Sequence, residues 1–327
     1  MNPADSTPSG SSNCGAVVVT YHPDDAFEVR LGMIIRECSR VIVVDNSADP
    51  AVGHALALAC RRFGCGLRVN ASNLGLAAAL NRGFDELHRE SCQWAVAFDQ
   101  DSSPGPGMLA ALQMCAAGTC PTSSMAIVGA NWTDEARPSR PSRHLRAHPA
   151  CRLMFQRVPA IQDLQDVTCV ITSGTLFHLP TWRALGGFDE SLFLDLVDTE
   201  FCLRARKRGH RVAVAARARL QHRRGAKRPV RFLWMTVWPA FMPPERLYGL
   251  FRNRVLLWRS HLWTAPHWAL FELVHAIKVS AEIVLLEDRK LAKLEGCLRG
   301  TWAGLRGRRG IVSFAPRRMG PPGHRSG

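Results

Sequence analysis

Two aspartates one residue apart, Asp99 and Asp101, stand where an apolar run turns polar: residues 94–103 read WAVAFDQDSS. Val96, Ala97 and Phe98 have the character of the end of a buried parallel strand, because such strands are continuous apolar runs rather than alternating ones. The carboxylates then emerge at the strand's C-terminal end, the edge of an open α/β sheet where ligands bind. Two carboxylates on stiff backbone make a hard oxygen site for Mg2+ or Mn2+, and such an ion can hold a diphosphate. Taken alone, Asp-x-Asp is also what a solvated turn looks like, so its weight depends on its surroundings.

Other polar side chains fall at comparable places. Asp195, Asp198 and Glu200 precede or begin a helix expected to end at Gly209, where acidic residues are also favoured simply by the helix dipole. His222 follows a strand, and a lone histidine in that position is more often structural than a ligand. Asn73 can cap the helix that starts near Gly75, and Gly75 lets backbone approach a ligand closely.

The elements that must position these residues alternate. Residues 16–20 (AVVVT) form a first buried strand, 26–38 an amphipathic helix, and 41–44 a second strand ending at Asp45-Asn46-Ser47. Strand, helix, strand, each strand closing on polar residues, points to a parallel nucleotide-binding sheet. Asp49-Pro50 caps and opens a helix running to about Arg62, and 67–70 is a short third strand. Leu76, Leu80, Phe84 and Leu87 then mark one face of a helix. A helix over 108–115 and strands at 126–130, 167–173 and 211–220 complete the expected sheet. Residues 133–149, rich in Pro, Arg and Ser, read as a mobile surface loop and a functional lid. In the helix before Gly209, Phe201, Leu203 and the aliphatic stems of Arg204 and Arg206 cannot all face one way, so the segment is expected to be half buried with its arginines reaching outward. Beyond Val230 no strand signal remains. Residues 243–260 and 267–287 read as helices, the second apolar but carrying Glu272, His275, Lys278 and Glu282, charges that argue against a membrane span. With Trp263, Trp268 and the arginines of 298–325, this region is expected either to lie in a bilayer interface or to form an ordinary packed helical subdomain.

Composition sets limits. The chain has 327 residues, 46% of them hydrophobic, enough for a full core in one large or two small domains. A net charge of +15 suggests an anionic partner: nucleic acid, an anionic leaflet or phosphorylated substrates. Eleven cysteines without a C-x-x-C pair or zinc-like spacing read as reduced core residues of a cytosolic protein. The opening residues, MNPADSTPSGSSN, are polar, read as a disordered tail and carry no secretory signal.

The ordered set VVVTYHP (17–23), VIVVDNS (41–47), NLGLAAALNRG (73–83), FDQDS (98–102), ITSGTLF (171–177), GGFDESLFLDLVDTEFCLRARKRG (186–209), LQH (220–222) and RNRVLL (252–257) resembles the inverting family 2 glycosyltransferases of the GT-A fold. Within that family it is most similar to bacterial rhamnosyltransferases that use dTDP-L-rhamnose to build O-antigen and other surface polysaccharides. The resemblance covers residues 15–259 and rests on the order and spacing of the motifs. It implies an α/β, mainly parallel, Rossmann-like sheet flanked by helices, with a C-terminal helical extension. By motif, Thr20, Tyr21 and Asp45 would hold base and ribose, and Asn73, Gly75 and Asn81 would shape the nucleotide pocket. Asp99 and Asp101 would be the Asp-x-Asp pair, with Asp101 the more direct ligand of Mg2+ or Mn2+, and His222 would complete the metal site. Asp198 sits where the family's catalytic base sits. Many members carry Glu-Asp where this chain has Val197-Asp198, so one acidic residue is missing. Ser173, Gly174 and Asp195 would contact the acceptor.

The implied organisation is a tail at 1–14, a catalytic domain at 15–230 and a basic helical region at 231–327. The implied partners are a nucleoside diphosphate sugar, dTDP-L-rhamnose first, a polyprenyl-diphosphate-linked saccharide acceptor and an anionic membrane surface, with the enzyme peripheral on the cytoplasmic face. Another dTDP- or UDP-sugar donor remains open. A nucleic-acid-binding protein would be expected to interleave aromatic and basic residues on one element, and the densest basic run, 204–231, instead encloses His222. A non-catalytic adaptor retaining the fold is the third alternative.

Overall fold

A computed structural model describes residues 13–118, 125–134, 142–223, 229–232 and 234–310. The N-terminal half alternates as the apolar pattern predicts: β1 (Cys14–Thr20), α1 (Phe27–Glu37), β2 (Val41–Asp45), α2 (Pro50–Phe63), β3 (Gly66–Val69), α3 (Gly75–Arg89) and β4 (Trp94–Asp99). Then come β5 (Ser102–Pro104), α4 (Met108–Ala117), β6 (Met125–Asp134), β7 (Arg143–His148), β8 (Cys151–Pro159), β9 (Thr175–His178), α5 (Leu179–Ala184) and α6 (Val197–Lys207). The chain continues with β10 (Arg211–His222), β11 (Val230–Phe232), β12 (Met235–Val237), α7 (Pro244–His261), α8 (Pro266–Leu286) and α9 (Lys290–Leu305).

Eight strands form one sheet in the order β3-β2-β1-β4-β9-β6-β10-β5. β3, β2, β1 and β4 are parallel, β9 runs against both β4 and β6, and β10 pairs parallel to β6. Alternate residues serve opposite faces, as the strand period requires. Val17, Val19, Ile42 and Ala97 pack with α3, α5 and α6 around Phe84, Trp182 and Phe201, while Val18, Val43, Val96 and Phe98 pack with α1, α2 and α4.

Several expectations need correction. Cys14 is buried in β1, so the sheet begins inside the segment expected to be a tail; residues 1–12 lie outside the described residues. The segment 133–149 is not a free loop: Thr133 and Asp134 finish β6, and β7 pairs with β8 as an antiparallel hairpin that packs on α8, with Phe155 against Phe271. Its Arg and Ser content masked a polar hairpin; residues 135–141 lie outside the described residues. The strand expected at 167–173 starts only at Thr175 and is antiparallel, because Gly174 at φ +71° turns the chain into it. Past Val230 there is a short hairpin, β11 with β12.

The arginines of α6 do not simply reach outward. Arg204 binds Glu200 and the carbonyls of Leu185 and Gly187, and Arg206 donates to Val167 O. Among the C-terminal helices, α9 lies tight on α7 because Gly296, Gly300 and Gly304 present no side chain: a Cβ on any of them would run into the backbone oxygen of Pro244, Tyr248 or Arg252. Leu256, Leu257 and Trp268 of these helices join the main core, while Leu247, Leu250, Phe251, Val279, Ile283 and Cys297 form a cluster of their own between α7, α8 and α9. Trp268 is only 1% exposed and Trp263 is 89% exposed, so only the second could meet a bilayer. No helix of the described residues is long and apolar enough to cross a membrane. The ten described cysteines are free thiols.

Candidate active site

Strand register gathers the sequence-predicted residues. Thr20 pairs with Asp45 across β1 and β2, and Val19 pairs with Asp99 across β1 and β4, so three parallel strands end together. β10 runs in the same direction as β4 and brings His222 to that edge, where it faces Ser102 of the antiparallel β5.

At the β4 end, Asp99, Asp101 and His222 each offer a ligand atom, all within 4.8 Å of one another. His222 Nδ1 is 3.3 Å from Asp101 Oδ1, and Nε2 is 3.9 Å from Asp99 Oδ2. Burial pushes the Asp99 carboxyl up to about 6, opposed by His222 and reinforced by the charges of Asp101 and Asp198. Among the described residues, Asp101 Oδ1 is buried with no hydrogen-bond partner. Crowded carboxylates, one orphaned oxygen and an imidazole within reach form a donor set that fits Mg2+ or Mn2+.

Asp198 is the first acidic residue of α6. Its Oδ1 accepts from Thr199 N at 2.7 Å and from Thr199 Oγ1 at 3.3 Å, and its Oδ2 accepts from Thr172 N at 3.1 Å. Burial raises its affinity for a proton, and those backbone donors partly offset the effect. The result is a carboxylate of fixed orientation and heightened basicity, the attributes of a general base.

At the β1 and β2 ends, Thr20 Oγ1 and Ser47 Oγ both donate to Asp45 Oδ1, at 2.8 and 2.7 Å. Asp45 Oδ2 is buried and, among the described residues, has no hydrogen-bond partner. Beside it, the Gln100 side chain clasps Tyr21, accepting from its N at 2.7 Å and donating to its O at 3.1 Å; the Tyr21 side chain is 51% exposed. Asn73 Oδ1 accepts from Gly75 N at 3.0 Å, and Asn46 Nδ2 donates to Gly75 O at 3.0 Å, which ties the start of α3 to the β2 end.

Four expected residues have other surroundings. Asn81 is six residues into α3, roughly 9 Å along its axis, and its carboxamide is committed to Phe188 N and O and to Glu190, stapling the glycine turn. Ser173 and Gly174 are buried: Ser173 Oγ accepts from Asp99 N at 3.1 Å and donates to Ser102 Oγ at 2.6 Å, while Gly174 N donates to Ala97 O. They brace the site rather than open onto it. Asp195 is paired with Arg246 of α7 at 3.1 Å.

Other contributors carried no role in the sequence reading. Ser47 and Ser102 lie within quoted motifs but are too common to stand out. Arg246 reaches back from α7, and its charge also favours ionised Asp99. Asn253 donates to Leu192 O and Asp195 O, both at 2.8 Å, and buried Arg252 donates to Ser191 O at 3.0 Å, so α7 holds the segment leading into α6. A recess of about 580 Å3 lined by Cys14, Arg40, Glu86 and Glu90 lies at the opposite ends of the strands and contains none of these residues.

No protein-family model matches the sequence. Over 316 residues, 90% of this chain and 98% of the relative, it is 27% identical to the dTDP-rhamnosyl transferase RfbF of Shigella flexneri. Three solved structures share the fold over 90% of this chain. GalNAc-T7 with UDP, GalNAc and Mn2+ superposes with a TM-score of 0.57 at 10% identity, and this chain spans only 56% of its length. TarS 1–349 of S. aureus gives 0.56 at 13% identity over 82% of that chain. The mannosyltransferase PcManGT of Pyrobaculum calidifontis, in complex with GDP-Man and Mn2+, gives 0.52 at 14% identity over 88% of that chain.

The chain is a glycosyltransferase of the GT-A fold.

In this glycosyltransferase the parallel strand ends carry Asp45, Asp99 and Asp101 on one edge, and β9 is the reversed strand between that half and β6–β10. The reversal puts Ser173 against Asp99 and Thr172 against Asp198, so one short segment braces both carboxylate groups.

Proposed function

We propose that this enzyme transfers L-rhamnose from dTDP-L-rhamnose, with inversion, to a saccharide carried on a polyprenyl diphosphate. The observation that carries the reading is the cluster of Asp99, Asp101 and His222 at the strand ends, with Asp198 close enough to raise the proton affinity of Asp99. The donor assignment is supported by the similarity to the dTDP-rhamnosyl transferase RfbF of Shigella flexneri.

Asp99, Asp101 and His222 hold the divalent ion, Mg2+ or Mn2+. That ion supplies electrostatic stabilisation of the charge that develops on the leaving diphosphate, without a proton donor. Thr20 and Asp45 bind base and ribose, with the unpaired Asp45 Oδ2 as acceptor and the exposed Tyr21 ring as a stacking surface. Asn73 and Gly75 shape the wall beside them. Asp198 takes the proton from the acceptor hydroxyl as its oxygen bonds to the anomeric carbon and the bond to the diphosphate oxygen breaks. Attack opposite the leaving group inverts the anomeric centre through an oxocarbenium-like transition state. Asp195, held by Arg246, lies on the acceptor side.

The enzyme works as a peripheral protein on the cytoplasmic face of the membrane. Exposed Trp263, Ile277, Leu298 and Trp302, with Arg306 stacked 4.5 Å over Trp302, support an interfacial position for the C-terminal helices. The test is nucleoside diphosphate release from a panel of dTDP- and UDP-sugars, with Mn2+ or Mg2+ and with EDTA, using membrane lipid extract as acceptor source. Metal-dependent turnover of dTDP-L-rhamnose is expected. Turnover of another donor alone overturns the rhamnose assignment, and no release from any donor overturns the enzymatic reading.

A further inference from the structure

Three hydrogen bonds through two buried hydroxyls connect the Asp99 backbone to the His222 ring. Asp99 N donates to Ser173 Oγ at 3.1 Å, Ser173 Oγ lies 2.6 Å from Ser102 Oγ, and Ser102 Oγ lies 2.8 Å from His222 Nδ1. Ser102 is fully buried and Ser173 is 1% exposed, so water cannot replace a missing partner in this chain. Register fixes both ends: β5 is antiparallel to β10 with Ser102 opposite His222, and Ser173 immediately precedes the turn into β9.

We infer that Ser102 is a positioning residue that accepts the His222 Nδ1 proton and so leaves Nε2 as the imidazole atom for a divalent cation. The inference deepens the proposed function and rests on His222 belonging to the metal site. A histidine can ligate only through a nitrogen that carries no proton, and the hydrogen bond made by the other nitrogen decides which one that is. If Ser102 donates, Nδ1 is the acceptor, Nε2 keeps its proton and the face toward Asp99 is a donor that repels a cation. If Nδ1 donates to Ser102 Oγ, that oxygen accepts from both Ser173 Oγ and Nδ1, and Nε2 offers its lone pair toward Asp99 Oδ2, 3.9 Å away. Ser173 also ties this chain to the metal pair through Asp99 N, and its neighbour Thr172 holds Asp198, so the imidazole, the carboxylate pair and the base share one brace.

The test has two parts on the full chain. Mn2+ affinity is measured by the electron paramagnetic resonance of free Mn2+ for wild type, Ser102→Ala and His222→Ala, with metal-free dTDP binding as control. Both variants should bind Mn2+ roughly 10–100-fold more weakly, as loss of a ligand or of its outer hydrogen-bond partner does, with dTDP binding unchanged. If His222→Ala keeps wild-type Mn2+ affinity, the metal assignment and this inference fail together. If His222→Ala loses affinity and Ser102→Ala does not, only the inference fails. The second part needs no variant: the ring 15N resonances of His222 are followed while the wild-type protein is titrated with diamagnetic Cd2+. The expected result is a shifted Nε2 and a protonated Nδ1. A metal-shifted Nδ1 overturns the inference even if Ser102→Ala fails to fold.

Discussion

Gly75 and Phe193 meet backbone to backbone: a Cβ on Gly75 would stand 2.5 Å from the Phe193 carbonyl oxygen, and Gly75 already adopts φ +86°. The same oxygen accepts from Leu76 N at 2.6 Å, so the first turn of α3 is sewn to the loop before α6. Nucleotide wall and base-bearing helix are therefore one mechanical unit.

Gly75→Ala should therefore be costly twice over, through left-handed backbone and through a clash with an oxygen that cannot rotate away. A loss of at least about 2 kcal/mol is expected, read as a lower urea midpoint. A midpoint equal to wild type would show that the loop yields freely.

Asn253→Ala removes the side-chain donor to the part-buried Asp195 O and one of the two donors to Leu192 O, which keeps Leu194 N at 2.8 Å. Each such loss costs about 1–3 kcal/mol. Because those carbonyls flank Phe193 and lead to Asp198, turnover should fall as well as stability. Stability loss with unchanged turnover per folded molecule would contradict the coupling.

Asp99 has a proton affinity raised by burial, from 3.8 to about 6. Between those values the folded chain holds more protons than the unfolded one, so ionised Asp99 is a penalty that is complete above pH 6 and relieved as pH falls toward 3.8. In EDTA, Asp99→Asn should be more stable than wild type at pH 7. The gain is on the order of 1–2 kcal/mol after allowance for screening of a side chain one-third exposed. The difference should shrink at pH 5 and vanish near pH 4. A variant less stable at pH 7 would contradict the account of a site strained in the absence of its cation.

His144, His261 and His267 carry the opposite sign. Burial first, then neighbouring cations, push each from 6.5 down to about 4. The fold keeps them neutral while the unfolded chain takes up protons below pH 6.5, so stability is lost as pH falls from 6.5 toward 4. At pH 5 each costs up to about 2 kcal/mol, and together they outweigh Asp99. The thermal midpoint should fall between pH 7 and pH 5; a flat profile would contradict their burial as neutral rings.

The parallel half was legible in the sequence because its signal is local. The valines of β1 and β2 and the Leu80/Phe84/Leu87 stripe of α3 declare period and polarity within a few residues, and Asp45 and Asp99 mark where strands stop. The reversed strand β9 was misread by several residues because VTCVITS is as apolar as a strand, and only the left-handed turn at Gly174 delays it. Ser102, Arg246 and Asn253 were invisible as site residues because their partners lie on distant elements. Asn81 and Gly174 sit in telling motifs, yet the fold uses them to staple and to turn. Spacing identifies a motif; it does not separate a residue that touches ligand from one that holds the residue that does.

The most direct test is Asp198→Asn. The substitution keeps shape and an oxygen acceptor for Thr199 N while removing the basic carboxylate. Sugar transfer from dTDP-L-rhamnose with Mn2+ should fall by about 100-fold or more, while dTDP binding, measured by titration calorimetry, stays near that of wild type. Substantial turnover by Asp198→Asn would contradict the central claim that this carboxylate deprotonates the acceptor.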